Sequence, residues 1–226
     1  MTPKPGTVRL LWIYTCLLSA IGIVVVIRRL LHLGVASQTL DAGFVRHPLL
    51  TTVHILPGLL FVVLGPLQFR QTLRARRPAL HRRMGLVLVA SGAVIGVSAL
   101  VMSPQMAIGG VNETAATTLF ALLFLFSLGK GFAAIRRGDV AQHREWMIRA
   151  FAIGMAVAFV RPIVGAFFAT SRITHLRPES FFGTAFWLGF TIQLIAAEAW
   201  INYTRPVRLG ASAGANATLP VRSQEP

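Results

Sequence analysis

Cysteine is almost missing: Cys16 stands alone inside an apolar run, so the chain forms no intramolecular disulfide and offers no Cys-rich metal site. Acidic residues are scarce too, seven against 22 basic ones, for a formal net charge of +15. Lysine is rarer still, with only Lys4 and Lys130 among the basic residues. That bias matches the codon usage of a GC-rich bacterial genome, a correlation rather than a physical constraint. Charged residues of both signs together reach 13%, about half the ~25% of an ordinary soluble domain. Disordered, fibrous and soluble globular readings are therefore poor ones. Neither a GxGxxG, a P-loop nor an HExxH occurs, which removes the motif-defined enzyme classes and leaves catalysis of another kind open.

What fills the chain instead is apolar. Hydrophobic side chains make up 54% of the 226 residues, and the mean hydropathy is +0.66. That is material for roughly six membrane spans of about 20 residues each. Six segments have that length: 8–27, 50–69, 84–103, 114–135, 146–170 and 181–203. The expected fold class is all-α, a single polytopic transmembrane domain over 1–203, with 204–226 as a disordered cytoplasmic tail. The first segment follows Lys4 and Arg9 as a signal peptide would, but no small-residue cleavage site follows it and Arg28-Arg29 close it. It reads as an uncleaved span.

The basic residues sit in short runs between apolar segments, so they report topology and not a nucleic-acid face. Sixteen of the 22 fall at the N-terminus, in the links 2–3 and 4–5, and at the C-terminus; five fall on the other side. Both termini are then expected in the cytoplasm of a bacterial inner membrane, with the lipid bilayer as the main partner. Arg28-Arg29 run against this count, and five spans is the alternative topology.

Polar residues inside spans are costly unless paired or functional, so they are the candidate site. His54 shares a helix face with Gly58, Phe61 and Gly65. Arg161 lies deep in the fifth segment on the face of Gly154 and Ala158, and should point into the bundle toward a carboxylate, a cavity or an anionic ligand. Glu113 and His54 match its depth. Glu198, near the inner end of the sixth segment, matches Arg149, either as a plain ion pair or as a proton-relay carboxylate. His81 and His143 open the third and fifth segments, each above a face of small residues: Gly85, Gly92 and Gly96 for one, Ala150, Gly154 and Ala158 for the other. The bland reading of each histidine is an interfacial side chain bonded to backbone or set in a basic cluster. Gly92 and Gly96 also make a GxxxG, the expected face for a homo-oligomer.

Several stretches resemble a bacterial membrane-protein family, domain of unknown function 2306. They are His54-Ile-Leu-Pro-Gly58 through Gly65-Pro-Leu-Gln-Phe69, Arg76-Arg-Pro-Ala-Leu-His81-Arg-Arg-Met-Gly85, His143-Arg-Glu-Trp-Met-Ile-Arg149 and, more loosely, Gln193-Leu-Ile-Ala-Ala-Glu198. The resemblance runs over about 47–200. After Gly85 this chain has Leu-Val-Leu where a Gly-Arg-Val-Tyr-like continuation is expected. What the resemblance implies is a polytopic bacterial membrane protein, with no activity, substrate or ligand.

Two classes of function follow from the residues. One is a non-redox binding, carrier or accessory protein with Arg161 and His54 lining an outward polar cavity for a small anion or lipid headgroup and Glu198 as a proton-coupled carboxylate, a reading that an Arg161 sealed against Glu113 would count against. The other is a redox protein with b-type haem on His81 and His143, passing electrons to or from a quinone. A zinc site on His81, His143 and Asp139 is a third option, without a second cluster to supply a general base.

Overall fold

The computed structural model describes residues 4–31 and 42–205; the expected tail lies outside the described residues from 206 onward. Within them the chain is helical: α1 (Pro5–Leu31), α2 (Ala42–Arg46), α3 (Pro48–Leu64), α4 (Gln71–Arg76), α5 (Pro78–Met106), α6 (Gly110–Arg136), α7 (Val140–Thr174) and α8 (Pro178–Thr204). A 3-10 turn, Pro66–Phe69, prolongs α3. Six of these helices are long and apolar enough to cross a membrane, namely α1, α3 with its 3-10 turn, α5, α6, α7 and α8. Each expected apolar segment lies within one of them. The helices run a few residues further at their ends, because backbone hydrogen bonding continues past the point where side chains turn polar.

Local chemistry sets the boundaries. Pro48, Pro78 and Pro178 open α3, α5 and α8 at positions where the missing N–H costs nothing. Between α6 and α7 the chain reverses within three residues. Gly138 takes φ +78, and the Asp139 carboxylate caps α7 by accepting from the Gln142 N–H at 2.9 Å. The α5–α6 link is equally short, and a methyl at Gly109 would lie 2.6 Å from the backbone N of Gly183, so only glycine lets α6 start against α8.

Helices α3, α5, α6, α7 and α8 pack in chain order, each on the next; α6 also rests on α8, and α3 and α7 meet at a seam where Phe61 faces Phe151. The shared core is aromatic: Phe61, Phe120, Phe124 and Phe190 with Leu88, Leu128 and Ile153. Phe120 stacks on Phe190 with centroids 4.7 Å apart, and Phe61 meets Phe124 edge-on at 5.7 Å. Between helices in lipid no hydrophobic force operates, so close packing of this kind, together with small residues, is what joins them.

Helix α1 stands apart. It packs on α3 and on α7, across the seam between them. Gly22 seats Val62, Leu18 packs against Met155 and Ala158, and Tyr14 donates its hydroxyl to Gln193 Oε1 of α8 at 2.9 Å. Little of α1 is otherwise buried.

Candidate functional site

A cavity of about 240 Å³ lies between α1, α3, α5, α6, α7 and α8, toward the end of the bundle where α1 ends and α3 begins. It brings together His54, Glu113 and Arg161, three of the residues picked out as misplaced in an apolar chain. Depths agree with this. At 1.5 Å per residue Arg161 stands about 31 Å from the start of α7, and Glu113 stands about 35 Å from the end of the antiparallel α6. The Arg161 charge acts on Glu113 across the cavity wall.

Each of the three is held by a different local device. Glu113 is 8% exposed, and its Oε2 accepts from the Gly109 N–H at 2.7 Å, so the carboxylate caps its own helix and sits at the favourable end of the helix dipole. His54 places Nδ1 2.9 Å from Ser98 Oγ. The Ser98 hydroxyl spends its proton on the carbonyls of Val94 (2.6 Å) and Ile95 (3.1 Å), so it accepts from the histidine. Nδ1 therefore carries hydrogen, and Nε2 is the ring's remaining functional nitrogen. Arg161 precedes Pro162 in α7, on the helix face that also presents Gly154 and Ala158 to the cavity.

Arg29, which lines the cavity, and Ser98, which supports His54 from outside its lining, carry less sequence signal. Arg29, in the sequence an exception to the charge count, lines the cavity with its guanidinium 4.0 Å over the Phe44 ring. Its signal was that very exception, a pair of arginines on the side where few belong. Ser98, the partner of His54, carried no signal, since a serine in a glycine-rich helix is unremarkable in type.

The rest of the cavity wall is apolar. Phe61, Phe120, Phe124, Phe186 and Phe190 floor its deeper part, and Gly22, Val25, Val26 and Arg29 face it from α1 at spacings i, i+3, i+4 and i+7. Gly58, one turn below His54, faces open space: a Cβ there would meet nothing within 4 Å.

The other nominated residues sit elsewhere. Arg149 and Glu198 form a two-pronged ion pair between α7 and α8, Nε to Oε1 and Nη2 to Oε2 at 2.9 Å, with Arg149 4.6 Å over the Trp146 ring. Neither lines the cavity. Glu145 extends the cluster with a second two-pronged pair to Arg205, at 2.9 and 2.8 Å, and this carboxylate strengthens the hold of the exposed Arg205 on its proton. This end of α7 is thus tied to the end of α8 by charge.

His81 and His143 are near enough for their charges to interact. His143 Nδ1 donates to the Gly131 carbonyl at 2.9 Å, and His81 Nδ1 is buried without a hydrogen-bond partner. The small-residue faces below them are occupied further along the helices, while one turn from His81 a methyl at Gly85 would meet only Gln68 Oε1, at 3.6 Å. A methyl at Gly92 would lie 2.6 Å from Leu128 Cδ1, one at Gly96 2.5 Å from Leu125 Cδ2, and one at Gly154 2.5 Å from Phe61 Cε1. Side chains of α6 and α3 fill these faces at the depth of Gly92, Gly96 and Gly154. The same contacts show Gly92 and Gly96 packing α5 on α6 within the chain. The zinc option fails. No group of three or more His, Cys, Asp or Glu able to hold a metal occurs among the described residues, and Asp139 is engaged as a helix cap.

A model of the predicted membrane protein family DUF2306 matches residues 51–201. The chain belongs to that family. The DUF2306 match begins in α3 and ends in α8, so it takes in five of the six long helices and leaves α1 outside. His54, Glu113 and Arg161 lie within it and Arg29 does not. The chain matches no curated protein and no solved structure.

Proposed function

We propose that this DUF2306 protein binds a small ligand in the cavity lined by His54, Glu113 and Arg161. The observation that carries the reading is that three polar side chains from three different spans converge on one largely apolar cavity, where each would otherwise be costly. With the basic links retained in the cytoplasm of a bacterial inner membrane, both termini are inside and the polar end of the cavity faces outward. Arg161 is the recognition group, His54 the orienting group held by Ser98, and Glu113 a fixed negative neighbour that sets where the cation points. Arg149 and Glu198 serve as the clamp at the far end.

Thermal unfolding of the purified protein in detergent tests this, followed with and without a total lipid extract of the host membrane. A ligand present at about 100 times its Kd adds about 2.7 kcal/mol to the folded state. The wild-type protein gains that stabilisation, while Gly58→Phe, which fills the open space below His54, and Arg161→Gln do not. Equal stabilisation of the wild type and Gly58→Phe would contradict the reading.

A further inference from the structure

The cavity is graded along the membrane normal. Arg29, Glu113 and His54 stand about 3, 5 and 9 Å in from the ends of their helices, whereas Phe61, Phe124 and Phe190 stand about 18 to 21 Å in, near the middle of a 30 Å hydrocarbon layer. A ligand whose polarity matches has a head at the interface and an apolar body running toward the bilayer centre. The volume of about 240 Å³ falls below the roughly 300–1,000 Å³ of drug-sized sites, room for one chain and not two.

Charge narrows the head. Among the described residues, two guanidiniums, Arg29 and Arg161, and one carboxylate, Glu113, line the cavity, and that carboxylate already accepts from Gly109. Each guanidinium carries five N–H donors in a planar fork suited to carboxylate or phosphate oxygens, so a partner within the protein still leaves donors for the cavity.

The wall that differs from the others is α1. It lies over the α3/α7 seam, it sits outside the family match, and its stripe Gly22, Val25, Val26 and Arg29 closes the cavity on that side. Little of it is buried, and its contacts with the bundle include Gly22 on Val62, Leu18 on α7, the Tyr14 to Gln193 bond, Tyr14 against Phe159 and Arg70 over Trp12.

From these observations, and resting on the ligand-binding reading above, we infer that the cavity takes a single-chain amphiphile with an anionic head, a carboxylate or a phosphate, directly from the bilayer past α1. The head pairs with Arg161 and Arg29, and the chain lies against the phenylalanine floor.

Trp187 supplies the readout. It stands edge-on to Phe120 at 5.8 Å and donates to Asn112 Oδ1 at 3.0 Å, next to the cavity. In a variant with Trp12, Trp146 and Trp200 replaced by Phe, reconstituted in phosphatidylcholine vesicles, brominated oleic acid, its methyl ester and a brominated single-chain phosphate ester are titrated against Trp187 fluorescence. The inference predicts saturable quenching by the acid or the phosphate ester at least ten-fold tighter than by the methyl ester, weakened ten-fold by Arg161→Gln and lost in Gly58→Phe and Gly58→Leu. Which of the two anions binds more tightly identifies the head.

Equal quenching by acid and ester, lost in both Gly58 variants, would overturn the anionic class and leave the cavity reading standing. Quenching unchanged in both Gly58 variants would overturn both. The route is tested separately with Gly22→Cys/Val62→Cys in a Cys16→Ser background. The Gly22 Cβ position and Val62 Cβ are 3.6 Å apart, within disulfide range. Oxidation should slow amphiphile exchange ten-fold or more and reduction should restore it; exchange indifferent to the lock would overturn entry past α1.

Discussion

Glu198→Ala should loosen the inner end of the bundle by a measurable and bounded amount. The carboxylate receives two charge-assisted bonds from Arg149, and such bonds contribute about 1.5–3 kcal/mol each where water is excluded. The pair is not fully enclosed by the bundle, since the Glu198 side chain is 40% exposed and that of Arg149 17%, and pairs exposed to water contribute only about 0–1 kcal/mol. A coupling of about 1–2 kcal/mol is expected between these limits. The assay is a double-mutant cycle of Glu198→Ala and Arg149→Gln, with unfolding driven by sodium dodecyl sulfate in mixed micelles. Arg149→Lys should recover less than half of the coupling, because a point charge cannot bridge both oxygens or lie flat on Trp146 as the guanidinium does. A coupling below about 0.3 kcal/mol, within the scatter of additive sites, would refute the argument. Ligand stabilisation at the cavity should survive Glu198→Gln, since Glu198 does not line it.

Further outcomes follow from the same packing. Gly96→Val should cost about 1–3 kcal/mol by overpacking, because its new side chain meets Leu125; a lowered thermal midpoint with unchanged helix content by circular dichroism checks it. Ser98→Ala should remove the acceptor of the His54 Nδ1–H, and nitrogen NMR of labelled histidine should show the Nδ1-protonated tautomer of His54 give way to a mixture. Dithionite reduction of protein expressed with ample haem should give no stoichiometric α-band, since the faces below His81 and His143 are filled at the depth of Gly92, Gly96 and Gly154; a sharp band lost in His81→Ala would reverse that conclusion.

Span number and class were legible because bilayer thickness imposes one length on every apolar segment, and six such segments stand in the chain. That His54, Glu113 and Arg161 would turn inward together was legible because burying them in lipid is costly whatever the fold. The Arg149 and Glu198 pair was readable from depth alone, since antiparallel spans bring the inner ends of neighbouring helices to one level. Arg29 was marked only as a positive charge on the side where few belong, because its place at the cavity depends on α1 crossing the α3/α7 seam, a long-range packing choice. The GxxxG of Gly92 and Gly96 was ambiguous for a related reason: small residues permit a close neighbour without saying whether it comes from the same chain, and here α6 of the same chain packs there. The histidine faces suffered the same ambiguity, as a stripe that admits a haem equally admits Leu128 or Phe61.

The central claim, that the His54, Glu113 and Arg161 cavity holds a ligand, is tested most directly by native mass spectrometry of the protein released from its own membrane. The account predicts one bound small molecule per wild-type chain that persists after bulk lipid is stripped, and its loss in Gly58→Phe. Bare wild-type protein, or identical adducts on the wild type and Gly58→Phe, would contradict it.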